Sequence, residues 1–170
     1  MKNTKRTTAA MLAIALALSM TSAKNHAFAR DEPKKELYAL SEGLADCSAS
    51  WLFNSALVEK VLKDKTMSKT LEEQANGAKM AAAWVAFKNN LIPDLAMASQ
   101  FVEERIAVQM NKKAAYLKAL LDEPKAEKEA GYKRIMNESK YCFENYGEKQ
   151  GEIVTELRRE MYKHAAKGGK

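Results

Sequence analysis

From residue 34 onward, apolar and polar positions along the chain follow a helical rhythm. Leu37, Leu40, Leu44, Cys47, Trp51, Asn54, Val58 and Val61 succeed one another at steps of three and four. That spacing puts them on one stripe of an α-helix, whereas a half-buried strand would alternate at every second residue. Leu52, Phe53, Leu57 and Leu62 widen the apolar side. The helix predicted over about 34–63 is therefore expected to have neighbours on more than one flank, as the central helix of a bundle.

A polar connector, Asp64 to Ser68, follows. Thr70 with Glu73 three residues on has the form of a capping box, which predicts a second helix over about 71–90. Gly77, Met80, Trp84, Phe87 and Leu91 form its predicted buried side, while Ala78, Ala81, Ala82 and Ala86 leave an adjoining surface with little bulk, open to close approach by a neighbour. Pro93 removes an amide and disfavours helical geometry at Ile92, so a new helix is expected to start at Pro93 or Asp94. The third helix carries Leu95, Ala98, Val102, Ile106, Met110, Ala114, Leu117 and Leu121, and stops at Asp122-Glu123-Pro124.

The last helix, over about 126–164, has the seam Tyr132, Ile135, Ser139, Cys142, Tyr146, Ile153, Leu157 and Met161. It contains Gly131, Gly147 and Gly151, each costing about 1 kcal/mol relative to alanine in a helix interior. The apolar phase continues across them, so a bend near Gly147 is expected rather than a second domain, with fraying from Ala165. No segment has a strand pattern, and the short connectors favour antiparallel neighbours. The predicted fold is all-α, a single-domain up-and-down four-helix bundle.

The first residues change how charge and cysteines are read. Lys2, Lys5 and Arg6 precede an uncharged run from Ala9 to Met20, and Ala27-Phe28-Ala29 offers small residues where a signal peptidase needs them. Residues 1–29 thus have the layout of a secretory signal peptide cleaved after Ala29, with Thr21-Ser22-Ala23 as a second candidate, leaving a helical domain over 30–170. The run falls short of the roughly 20 apolar residues that span a bilayer, and no later stretch reaches that length, so the mature chain is expected to be periplasmic or secreted and without a membrane span.

Export makes a disulfide between Cys47 and Cys142 the expected state of the two thiols, joining the first and last helices. A Cys-x-x-Cys redox pair is absent. The leader also carries four of the 28 basic residues and none of the 22 acidic ones, leaving 24 against 22. Lys and Glu interleave along every predicted helix, so no nucleic-acid partner is expected. The basic tail of Arg158, Arg159, Lys163, Lys167 and Lys170 suits a helix C-terminus, whose dipole favours cations.

Candidate chemistry is sparse. His164 is the one histidine outside the leader, near the chain end, so a hydrolytic triad has no held imidazole. Glu160 and His164 share a helix face but make only two metal ligands, and Glu-x-x-His pairs and Cys-x-x-Cys-His are absent. No enzyme, metal or cofactor is expected. Asn137-Glu138-Ser139 fits a glycosylation sequon inside a predicted helix. Trp51, Asn54, Trp84 and Phe87 are the candidate lining of a binding groove, with ordinary core packing as the competing role. The function expected is that of an exported noncatalytic interaction protein with a protein partner, of inhibitor, chaperone or envelope-accessory type. The alternative is a carrier for a lipid or haem between the helices.

Overall fold

The computed structural model describes residues 32–168, so the leader over 1–29 and its cleavage after Ala29 lie outside the described residues. Four helices follow in order: α1 (Glu32–Leu57), continued by a π-helical turn (Val58–Leu62), then α2 (Lys65–Lys88), α3 (Leu95–Leu120) and α4 (Lys125–Gly168). Among the described residues there is no strand. The chain forms the antiparallel up-and-down bundle expected, with α1 and α4 joined by the disulfide.

Each turn has a local cause. Lys63 adopts the left-handed conformation after the π turn, and Asp64 then caps α2 by accepting from the Met67 amide at 2.9 Å. This cap starts α2 six residues ahead of the capping box expected at Thr70, whose hydroxyl instead bonds back to the Thr66 carbonyl within the helix. At the other end of α2, Asn90 takes the left-handed position usually held by glycine. The Leu91 amide reaches back to the Ala86 carbonyl and the Asn90 amide to that of Phe87, closing the helix as a Schellman motif. Asp94 caps α3 through the Ala96 and Met97 amides.

α1 is central, as its pattern predicts, and no position from Ser41 to Ser55 is exposed. Three neighbours enclose it by three different devices. Against α2, Ser41 donates to the Ala82 carbonyl, Ser48 to the Ala75 carbonyl, and Ser55 shares a hydrogen bond with Ser68. These contacts recur every seven residues on both helices and run antiparallel. The small faces bring the backbones close enough for a serine hydroxyl to reach the facing main chain.

The buried side of α2 is therefore its alanine face, Ala75, Ala78, Ala81, Ala82 and Ala86, with Val85. Met80 is exposed and Trp84 and Phe87 are only half-buried, which corrects the expectation that the bulky side faces the core. Distance is the reason: a serine–carbonyl bond between helices leaves no room for large side chains.

Against α4, Cys47 and Cys142 are bonded with Cα atoms 5.4 Å apart, and the buried Asn54 amide donates to the Ile135 carbonyl and the Ser139 hydroxyl. Tyr146 lies across Gly43, where a Cβ would collide with the ring, and Leu120 of α3 occupies the equivalent space at Gly131. Against α3, the Arg105 guanidinium holds Asp46 with two hydrogen bonds of 2.8 and 2.9 Å and Glu42 with one of 2.6 Å. The Asp46 bonds and the two nearby carboxylates raise the Arg105 pKa above its ordinary value, against the opposing effect of burial. Tyr38 packs edge-on to Phe101 in the same α1–α3 interface.

Other departures from the expected seams lie near helix ends. Val61, 70% exposed, and Leu62 leave the α1 stripe where the π turn changes the helical phase. Leu120, not Leu121, enters the core at the end of α3. On α4, Tyr132 and Met161 are exposed while Gly131 and Gln150 are buried, and the helix continues through Gly147 and Gly151 to Gly168, beyond the expected onset of fraying. Among the described residues, no helix is long and apolar enough to cross a membrane.

Three outcomes follow from this packing. Reducing the disulfide, or Cys47→Ser with Cys142→Ser, removes a link closing a 95-residue separation and lowers stability by about 4 kcal/mol, read from urea unfolding of the two forms. Ala78→Leu forces bulk into the α1–α2 contact and costs about 1–3 kcal/mol in the same assay, whereas a neutral result would show that the helices separate easily. Burial, with smaller contributions from Tyr141 and Asp46, raises the Tyr146 pKa above its ordinary value. The neutral phenol is thus the folded form: its contribution is complete below about pH 10, the unfolded value, and is lost as pH rises through the folded one. Tyr146→Phe is expected to flatten the alkaline fall in urea midpoint.

Candidate functional site

The four residues expected to line a groove do not share one. Trp51 and Asn54 are fully buried on α1; Trp51 packs in a cluster with Cys47, Ala75, Ala78 and Cys142. Trp84 and Phe87 pack together with ring centroids 5.8 Å apart, against a different cluster around Leu44 and Ala82. In the α1–α2 register the two sites lie about three turns apart, roughly 18 Å along the helices. Asn54 fastens α4 to α1 through its amide nitrogen, and its Oδ1 is buried without a partner.

Carboxylates on α3 and α4 are engaged singly. Glu103 pairs with Lys79 of α2 at 2.6 Å, Glu104 accepts from Gln100, and Glu138 pairs with Lys113. Glu160 accepts from Lys163 at 2.7 Å, a bond that lowers its pKa below the ordinary carboxylate value despite an opposing effect of desolvation. His164 is exposed at the far end of α4. Among the described residues, no three histidine, cysteine or carboxylate side chains are gathered to hold a metal ion. The sequon's Asn137 is exposed, but the Ser139 hydroxyl accepts from Asn54 in the core.

α4 carries a second apolar stripe beside its core seam. Tyr132, Met136, Phe143, Gly147, Val154 and Met161 follow at steps of four and seven, covering roughly 44 Å of helix. Four of them face solvent, Phe143 at 64% and Met161 at 60% exposure. A helix bearing one apolar stripe needs one neighbour; the four exposed members of this second stripe lie outside the bundle core, while Val154 packs against the cluster around Leu44 and Ala82.

Beside this stripe an open groove of about 760 Å³ runs between α2 and α4. Gly77, Gly147 and Gly151 keep its floor low, and Phe143 and Val154 form an apolar wall. Glu73, Glu144 and Glu148 line it at one end and Arg158 at the other. Gln150 crosses its floor over Gly77 and donates to the Gln74 carbonyl at 3.1 Å. The Gln150 Oε1 has no hydrogen-bond partner, although the residue is only 7% exposed.

Past Leu157, side chains of α4 become mostly exposed. Arg158, Arg159, Tyr162, Lys163 and Ala166, with Thr155 just before them, make a shallow basic face there. Sequence reasoning placed Tyr132 and Met161 on the core seam and missed the second stripe, because a two-sided helix and a one-sided helix with a broad apolar face give the same steps of three and four. Phe143, adjacent to Cys142 but outside the seam, was the signal that separates them. No family model, curated protein or solved structure matches the chain.

Proposed function

We propose that the protein is exported and noncatalytic, and acts by binding another protein through the outward face of α4, in the cell envelope or outside the cell. The observation that carries this reading is the set of exposed apolar side chains Tyr132, Met136, Phe143 and Met161 on one stripe of α4, beside the α2–α4 groove. Contiguous exposed apolar surface marks interaction sites, because water is displaced from it only when a partner covers it.

The backing of the stripe supports the same reading. The disulfide, the Asn54 hydrogen bonds and the Tyr146–Gly43 contact hold α4 against α1 along its middle, so little ordering remains to oppose binding. A carrier role for a lipid or haem has less support, since Trp51 and Asn54 belong to filled core apart from Trp84 and Phe87. A partner helix laid along α4 suits the inhibitor, chaperone and envelope-accessory roles alike.

Site-specific photocrosslinking in cells tests the reading, with a benzophenone side chain placed in turn at Met136, Phe143 and, as a control on α3, the exposed Val108. The same protein adduct is expected from positions 136 and 143 and not from 108. Equal adducts from all three positions, or none from 143, would remove the proposal.

A further inference from the structure

The glycines of the bundle divide into two kinds. At Gly43 and Gly131 a Cβ would collide with Tyr146 and Leu120, so the packing of the chain itself requires a small residue, and at Gly77 it would displace the amide end of Gln150. At Gly151 a Cβ would meet nothing within 4 Å, and at Gly147 only the exposed Phe143 ring at an ordinary 3.5 Å. Both lie in the interior of α4, where glycine weakens a helix, and both have negative φ, so neither serves a turn. They stand four residues apart on the groove, a spacing that lets another helix approach the backbone closely.

A second observation marks the same place. Gln150, between them in sequence and on the same groove, is more than nine-tenths buried and has an acceptor oxygen without a partner. The groove is also electrically two-ended. Glu144 and Arg158 each stand seven residues from Gly151, two helical turns toward opposite ends, and so share its face. Arg158 has no ion-pair partner among the described residues, and Glu144 has only the exposed Lys140 at 3.6 Å.

We infer that the occupant of this groove is a second copy of the chain, its α4 crossing antiparallel with the two-fold axis at Gly151. A two-fold axis there places Glu144 of each copy over Arg158 of the other, making two ion pairs from one arrangement, and brings Gly147 over Thr155. A parallel crossing in register would instead set Glu144 against Glu144. Self-complementarity under a two-fold operation is what an isologous dimer interface requires. The inference rests on the reading of α4 as a docking face and names its partner as the same polypeptide.

Sedimentation equilibrium of the mature, disulfide-bonded protein up to about 100 µM, a range suited to a modest interface, tests it. The wild type is expected to approach twice the monomer mass. Gly151→Leu should be monomeric with a melting temperature at or above that of the wild-type monomer, because leucine meets no obstacle there and favours helix. Arg158→Glu should weaken association at least tenfold, and adding Glu144→Arg should restore it. A monomeric wild type, a dimeric Gly151→Leu protein, or a charge exchange that fails to restore association would each overturn the inference. If the wild type is monomeric while positions 136 and 143 still crosslink to a foreign protein, the docking face stands and only the second copy is excluded.

Discussion

Enclosing α1 on every side is the constraint to which the other helices conform. A helix with no exposed position from Ser41 to Ser55 cannot be held by a single apolar stripe, because its polar residues also face neighbours. The chain meets this by giving each neighbour its own device. Serine hydroxyls donate to the α2 backbone, the Asn54 amide nitrogen donates to α4, and the acidic edge at Glu42 and Asp46 is neutralised by one arginine from α3. Polar groups in the interior are then fasteners that set register.

Register is shared among these devices. The α1–α2 serine contacts repeat every seven residues, and on the α4 side Tyr146 over Gly43, the disulfide at Cys47 and the Asn54 bond to Ile135 lie along one antiparallel alignment. A slip of α4 by one turn would break the covalent link and drive Tyr146 into a position with a Cβ. The disulfide therefore acts together with an alignment that side-chain shape and hydrogen bonding already specify, while its loop closure restricts the unfolded chain.

Much of this architecture was legible in the sequence. Steps of three and four gave four helices, Pro93 and Pro124 gave two of the breaks, and two cysteines in opposed seams gave the pairing. What periodicity could not give was which side of α2 is buried. Hydrophobicity ranks Met80 and Trp84 above Ala78 and Ala82, yet the interhelical distance set by the serines selects the smaller residues. The same blindness hid the serines themselves, since Ser41, Ser48 and Ser55 read as polar positions until their heptad spacing is matched with Ala82, Ala75 and Ser68. The start of α2 was misplaced for a local reason: both Asp64 and Thr70 have cap chemistry, and only the chain reversal after Lys63 decides between them.

The surface of α4 is where the bundle's internal logic ends. Gly43 and Gly131 lie under Tyr146 and Leu120 of neighbouring helices, whereas Gly151 lies under no side chain and Gly147 meets only the exposed Phe143 ring of its own helix. The second apolar stripe repeats the pattern, its Tyr132, Met136, Phe143 and Met161 being spaced like a seam yet exposed beside the groove. An interior built so consistently from matched pairs makes an unmatched half informative, because the same geometry that seats α2 on α1 also describes what would seat on α4. A helix-sized partner with a small-residue face and an opposed charge pattern satisfies both features at once. The antiparallel copy of α4 itself has that face and that pattern.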